Sequence, residues 1–283
     1  MVATGTPLKI SLAQWSLNKS FFANRFTNLD FPALTRKLFD IDAVEYVNQF
    51  FMDKAEDTAY LNQLLSRCRD NEITNHLIMV DNEGSLASPD DTERNKAVEN
   101  HYKWVHAAKH LGCTSIRVNA FGSGEREEVL SAAVDGIGKI ADYAQKENIN
   151  IVLENHGGYT SDGKWMVKLI KQINMPNVGS LPDFGNFCIR SEKGYQWGKT
   201  CLEEYDRYIG VEELMPYAKG VSAKVMEFDV NGNCVETDYD RMIKIVKQSG
   251  FAGYIGIESS VKLIDDEEDG VRKTKALLEK YIY

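Results

Sequence analysis

Apolar residues in this chain recur by turns with a period of two and a period near 3.6, from one end to the other. No other feature limits the fold as much. "LKISLAQWSL" (Leu8 to Leu17) reads as a first strand, and "DFPALTRKLFD" as a helix with Asp30 as its N-cap. "DAVEYV" is a second strand and "DTAYLNQLLSRCRDN" a second helix. "NHLIMV" is a third strand, apolar enough for both faces to be buried. The long loop "DNEGSLASPDDTER" leads to the helix "NKAVENHYKWVHAAKHLG", which Gly112 ends. "TSIRVNAF" and "EEVLSAAVDGIGKIADYAQKEN" form a fourth unit, "INIVLENHGG" and "DGKWMVKLIKQIN" a fifth. "NVGSLPDFGNF" is a sixth strand, followed by "CLEEYDRYIGVEELMPYAKG" as one or two helices. "VSAKVMEFD" with "DYDRMIKIVKQSG", and "YIGIES" with a helix from Glu268 to Tyr283, complete eight units.

Consecutive strand–helix units dictate a parallel sheet with right-handed crossovers. Eight of them in 283 residues, with no break in composition, predict closure into a (β/α)8 TIM barrel, a single domain over 1–283. The alternative, an open doubly wound sheet, usually carries a Gly-rich phosphate turn after the first strand, and "QWSLNKSFF" has none.

Charge narrows the partners. With 33 basic and 42 acidic residues the net charge is −9, which repels nucleic acid but leaves room for a small anion in a local basic pocket. No apolar run is long enough to span a membrane. The five cysteines, Cys68, Cys113, Cys188, Cys201 and Cys234, are odd in number and lack CxxC spacing, so free thiols in a reducing compartment are expected. The start, "MVATGTPLKISLAQWSL", has no charged region followed by an apolar run. No signal peptide is therefore expected, and a cytoplasmic location is. The small, polar "VATGT" would also fit a chain from which a leader has been removed.

A barrel carries its chemistry at the C-terminal ends of its strands. Those ends offer Gln14, Trp15 and Ser16; Glu45; Arg117 and Asn119; Glu154 and His156; Asp183 and Asn186; Ser222 and Lys224; and Glu258. Three are carboxylates closing the short apolar runs "IVLE", "SLPD" and "IGIE". Three acids converging on one mouth repel one another and are costly to desolvate, and a divalent cation removes that cost. Oxygen ligands suit Mn²⁺ or Mg²⁺, while a nitrogen ligand moves the preference toward Mn²⁺, Co²⁺ or Zn²⁺. His101, His106 and His110 share one helix, where packing or solvation is expected, and His76 starts the third strand at the opposite end. His156 lies two residues past Glu154, so both face the same way. It is open to ligation, acid/base work or a hydrogen bond to substrate. Lys224 shares a face with Ser222, and a lysine there needs a negative partner.

The stretches "VLENHGG", "SLPDFGNF", "VSAKVMEFD" and "GYIGIES", in this order, resemble the xylose isomerase-like barrel superfamily, which includes sugar isomerases, ketose 3-epimerases, inosose dehydratase and endonuclease IV. With "AVEYVNQFF" and "ENHYKWVHAAKHLG" the chain looks like the sugar-phosphate isomerase/epimerase group described as L-xylulose 5-phosphate 3-epimerase-like. The resemblance implies a metal held by Glu154, Asp183 and Glu258, with Glu154 and Glu258 also moving the proton at the reacting carbon and the metal stabilising an enediolate. It also exposes two departures. Ser222 stands where the family usually has a fourth ligand, a histidine, which leaves water, His156 or substrate to complete the site. Asn186 stands where a histidine often follows the aspartate, and it can hydrogen-bond a hydroxyl but not act as an acid or base.

The expected function is a metal-dependent isomerase or 3-epimerase of a sugar or sugar phosphate. Glu45, Asn119, His156, Asn186 and Lys224 would bind hydroxyls, and Trp15 or Phe187 would cover a sugar face. A dehydratase or related lyase on a keto-sugar or cyclitol, and a non-catalytic sugar-binding barrel, are the alternatives. An endonuclease IV-like activity needs a histidine-rich, three-metal site and a basic surface, neither of which this sequence offers. The oligomeric state is left open.

Overall fold

The computed structural model describes residues 8–195 and 198–282. "VATGT" and Tyr283 therefore lie outside the described residues. Eight strands run parallel: β1 (Lys9–Ala13), β2 (Ala43–Val47), β3 (Thr74–Met79), β4 (Ser115–Val118), β5 (Asn150–Glu154), β6 (Val178–Leu181), and, after a two-stranded hairpin of β7 (Cys188–Ser191) and β8 (Cys201–Glu204), β9 (Val221–Val225) and β10 (Tyr254–Ser259). The sheet runs β6-β5-β4-β3-β2-β1-β10-β9. Between its two ends the ring is closed by isolated parallel bridges, Ser180 to Ala218 and Asp183 to Ser222. The sequence thus folds into the expected (β/α)8 barrel.

Helices α1 (Asn18–Phe22), α2 (Phe31–Phe39), α3 (Thr58–Asp70), α4 (Asp91–Leu111), α5 (Arg126–Lys146), α6 (Gly163–Ile173), α7 (Arg207–Leu214), α8 (Tyr239–Gln248) and α9 (Glu267–Ile282) fill the connections. Local chemistry sets several of their ends. Asp57, Asp90, Asp162, Asp206 and Asp238 each accept a backbone N–H from the first turn of α3, α4, α6, α7 and α8. With Asp90 as its cap, α4 begins at Asp91, four residues before the expected Asn95. Gly112 ends α4 with φ +73°, a left-handed geometry that glycine adopts without strain. Asp30 stands at the expected N-cap position of α2 but makes no side-chain bond to its first turn. Its carboxylate turns back to accept from Thr27 N and Thr27 Oγ1, at 2.9 and 2.6 Å, and so closes the short turn before the helix.

Alternation along the strands divides the core in two. Leu12, Val44, Tyr46, Ile78, Ile116, Val118, Ile151, Leu153, Ile255 and Ile257 face outward and join the main core with the helices. Ala13, Val47, Leu77, Met79, Val152 and Leu181 face inward and form a separate plug inside the ring. The plug leaves the strands' last inward positions for polar residues.

The segment after β6 differs from the expected long strand and helices. Regular pairing stops at Leu181, because Asp183 Oδ1 accepts Gly185 N and Asn186 N at 2.7 and 2.8 Å and turns the chain. The hairpin follows, and "CLEE", read as helical, is its exposed second strand, with Arg190 and Glu203 paired across it. Cys188 and Cys201 form a disulfide with Cα atoms 5.7 Å apart. This corrects the expectation of five free thiols: Cys68, Cys113 and Cys234 are free and buried, but a hairpin brings together two cysteines 13 residues apart. The argument from free thiols to a reducing compartment falls with it. No helix among the described residues is long and apolar enough to cross a membrane.

Candidate active site

A cavity of about 780 Å³ opens where β1, β3, β4, β5, β9 and β10 end. Glu154 is the last residue of β5, Asp183 lies two past β6, and Glu258 is the fifth residue of β10. All three are buried, and each offers a carboxylate oxygen within 4.8 Å of the other two.

Two ionic chains neutralise part of this charge. In the first, the Arg117 guanidinium lies between Asp81 Oδ1 at 2.6 Å and Glu154 Oε2 at 2.9 Å. The contact to Glu154 is an ion pair by distance without the alignment of a hydrogen bond. In the second, Lys224 Nζ lies 2.6 Å from Glu258 Oε1 and 3.9 Å from Asp183 Oδ2. Ser222 Oγ stands 2.7 Å from Asp183 Oδ2 and 3.1 Å from Glu258 Oε2, so its one proton is shared between them. Asn186 joins the two chains, donating to Glu154 Oε1 and accepting from Lys224, each at 3.2 Å. The Asn155 side chain accepts from Asp183 N and donates to the carbonyls of Asp183 and Asn186, fixing that turn.

Each chain holds two carboxylates and one cation, so together they retain two negative charges when fully ionised. The electrostatics reflect the surplus. Burial, with Glu258 and Asp183 nearby, outweighs Arg117 and pushes Glu154 well above the usual carboxylate range. Burial likewise pushes Asp183 up to about 6. Burial would raise Glu258 too, but Lys224 outweighs it and holds Glu258 below the ordinary value. Asp81, also buried, is held low by Arg117. Burial, then Arg117, brings His156 down to about 3, so its ring is neutral near pH 7. With Arg117 and Lys224 the three convergent carboxylates keep one negative charge, and Asp81 adds a second; that excess fits a divalent cation, and the donors are all oxygen.

The other residues singled out from the sequence divide. Trp15, Asn119, His156, Asn186 and Lys224 line the cavity. His156 Nδ1 pairs with Asn119 Oδ1 at 2.9 Å, and its ring stacks on Phe121; it is not in the three-carboxylate cluster. Glu45 does not reach the cavity. It is fully buried inside the ring, receives Ser11 Oγ at 2.6 Å, and fills the space left by the missing side chain of Gly256, one inward position below Glu258. Burial pushes its carboxyl up to about 7. Phe187 is fully buried in the main core, against Gly210, and does not line the cavity. His101, expected on an outer helix face, is buried at the cavity wall. Asp81 was not among the strand ends considered, although it directly follows "HLIMV" and the same rule finds it. Arg117 was among them without a partner, and its partners come from neighbouring strands.

A model of the xylose isomerase-like TIM barrel matches residues 33–281. The chain belongs to the xylose isomerase-like TIM barrel family. Solved members of this fold share its outline at low identity. A D-psicose 3-epimerase crystallised with D-fructose superposes with a TM-score of 0.74 at 14% identity, covering 97% of this chain and 99% of that one. An IOLI protein with a bound zinc atom gives 0.74 at 13% identity, over 98% and 99% of the two chains. A xylose isomerase-like TIM barrel protein from Mycobacterium smegmatis in complex with magnesium gives 0.65 at 14%, over 96% and 98%. At such identities the likeness establishes the family's fold and not a shared reaction. No curated protein matches the sequence.

Proposed function

We propose that this chain is a sugar isomerase or 3-epimerase working with a divalent ion held by Glu154, Asp183 and Glu258. The observation that carries the reading is the cluster itself: three buried carboxylates within 4.8 Å, with a surplus of negative charge, beside a cavity lined by hydroxyl-binding groups. Family members that bear a sugar-epimerase name or hold zinc or magnesium support it. The all-oxygen donor set favours Mn²⁺ or Mg²⁺ over Co²⁺ or Zn²⁺.

Each residue has work that follows from its position. Asn119, His156, Asn186 and Lys224 hydrogen-bond the sugar's hydroxyls, and Trp15 covers a face. Lys224 keeps Glu258 ionised, which suits Glu258 to take a proton from the carbon beside a carbonyl. Glu154, on the other side of the cluster, suits the return of a proton from the second side. The ion, when bound, supplies a Lewis acid for the substrate's oxygen. Asp183 and Ser222 hold the site's shape and carry no proton at the reacting carbon.

The test combines ion, residue and product. Protein purified without chelator is expected to contain a divalent ion by elemental analysis, and Mn²⁺ is expected to raise its melting temperature. Glu154→Gln and Glu258→Gln are each expected to lower turnover on the order of 10³-fold on whichever sugar of a ketose, sugar-phosphate and cyclitol panel is converted, with circular dichroism unchanged. Full activity in both variants would sink the proton-transfer roles. The same pair of carboxylates also suits elimination, one taking a proton from carbon and the other giving one to a departing hydroxyl, which leaves as water. A product lighter by one water in the panel would select that reaction. No bound ion and no response to Mn²⁺ would instead mark a sugar-binding barrel without catalysis.

A further inference from the structure

A smaller cavity of about 260 Å³ adjoins the one at the barrel mouth, and the two share Ser85 and Phe121. Alone it is smaller than the roughly 300 Å³ at which ligand pockets usually begin. Its position makes it an annex. Phe121, 37% exposed, stands at the junction, its ring 5.5 Å from His156 and within 23° of parallel. Across the annex the rings of Tyr159 and Tyr195 stack at 4.6 Å and 22°. Tyr159 is held by its hydroxyl, which donates to Gly124 O at 3.0 Å. Tyr195, 45% exposed, comes from the hairpin between β7 and β8.

The chemistry of this wall is uniform. Among its described residues are aromatic faces, serine hydroxyls and glycine backbone, and no charged side chain. Among the described lining residues a phosphate or carboxylate would meet no cation; Arg126 lies over the Tyr159 ring, 5.6 Å from its centroid, and is paired with Asp162. A neutral ring with apolar faces and a rim of hydroxyls meets both kinds of partner it needs. Because the annex adjoins the carboxylate cavity at Ser85 and Phe121, such a ring would lie next to whatever lies at Glu258.

We infer that the annex is a second sugar subsite, and that the substrate is a neutral disaccharide. Its reacting ring lies at the carboxylates and its other ring between Phe121 and Tyr195. This rests on the reading of the first cavity as a sugar site and adds the size and charge of what enters it. Calorimetric titration with glucose, maltose, cellobiose, trehalose, galactose and lactose tests it. At least one disaccharide is expected to bind five-fold or more tighter than its parent monosaccharide. Tyr195→Ala and Phe121→Ala are each expected to cut that ratio by about 3- to 10-fold, as the loss of a ring contact should. Tyr195→Phe, which keeps the ring, is expected to retain it, so that loss in Tyr195→Ala reports stacking and not misfolding. A ratio below five for every pair, or one untouched by both alanine variants, overturns the inference. The two readings fail separately. Active Glu154→Gln and Glu258→Gln variants would remove the proton-transfer chemistry, whereas a flat disaccharide ratio with those variants inactive would remove only the subsite.

Discussion

A methyl group added at Gly256 would sit 2.6 Å from both carboxylate oxygens of Glu45. No real Cβ tolerates that approach, and Glu45, fully buried among strands, has nowhere to retreat. Gly256→Ala is expected to destabilise the protein by about 1–3 kcal/mol in urea denaturation. Combining it with Glu45→Ala, which empties the contested space, should recover part of the loss, and strict additivity of the two would show that they do not meet. Residues of this kind define how far the candidate site was legible in the sequence. Glu154, Asp183 and Glu258 could be read because each closes a short apolar strand, a local signal. Glu45, the middle residue of β2, shares their inward face and lies elsewhere, since alternation fixes the face but not the depth. Ser222 was legible as an oddity, while its place between two carboxylates, and the shielding of Glu154 by Arg117 and Asp81, depend on strands distant in sequence.

Among the elements, the β7–β8 hairpin is the least barrel-like. It pairs only with itself in the sheet order, and its second strand is exposed along its length. Its charged sequence mimics a helix, because alternation over four residues is too short to outweigh helix-forming side chains. The disulfide is a contact across the turn, invisible to a reading of spacing alone. Closing a loop of this size restricts the unfolded hairpin by up to ~3 kcal/mol, a gain felt first in the hairpin because it pairs with no barrel strand. Replacing Cys188 and Cys201 by serine is therefore expected to speed hydrogen exchange across residues 188–204 and to leave β1 to β5 protected as before. Uniform loss of protection would mean that the hairpin supports the whole barrel. The barrel strands themselves were legible because each has a local apolar period, and the helices because aspartates mark many of their starts.

At the scale of the whole molecule, acid is the expected weakness. His76, at the N-terminal end of the ring, is buried against Tyr254, and burial lowers its pKa to about 4. Unfolded, it would protonate near pH 6.5. Its folded pKa is depressed, so the stability tied to its neutral form is complete above pH 6.5 and is lost as pH falls toward 4. The loss amounts to a few kcal/mol by pH 4. His76→Phe, which keeps the ring against Tyr254, should flatten the fall in denaturation free energy between pH 6.5 and 4. An unchanged slope would place the acid sensitivity in other groups.

The ring of strands is continuous except between β6 and β9, where isolated bridges stand in for a ladder, one of them joining Asp183 to Ser222. Asp183 belongs to one side of that gap and Ser222, Lys224 and Glu258 to the other. The protein's clasp and its carboxylate cluster thus share residues, the main chain of Asp183 and Ser222 closing the ring and their side chains meeting in the cluster. Whatever draws Asp183 and Glu258 together tightens the hoop, and whatever pries the hoop apart spoils the cluster first. An enzyme built this way would lose its chemistry before it lost its shape, so activity should fade on warming while the helices still report an intact fold.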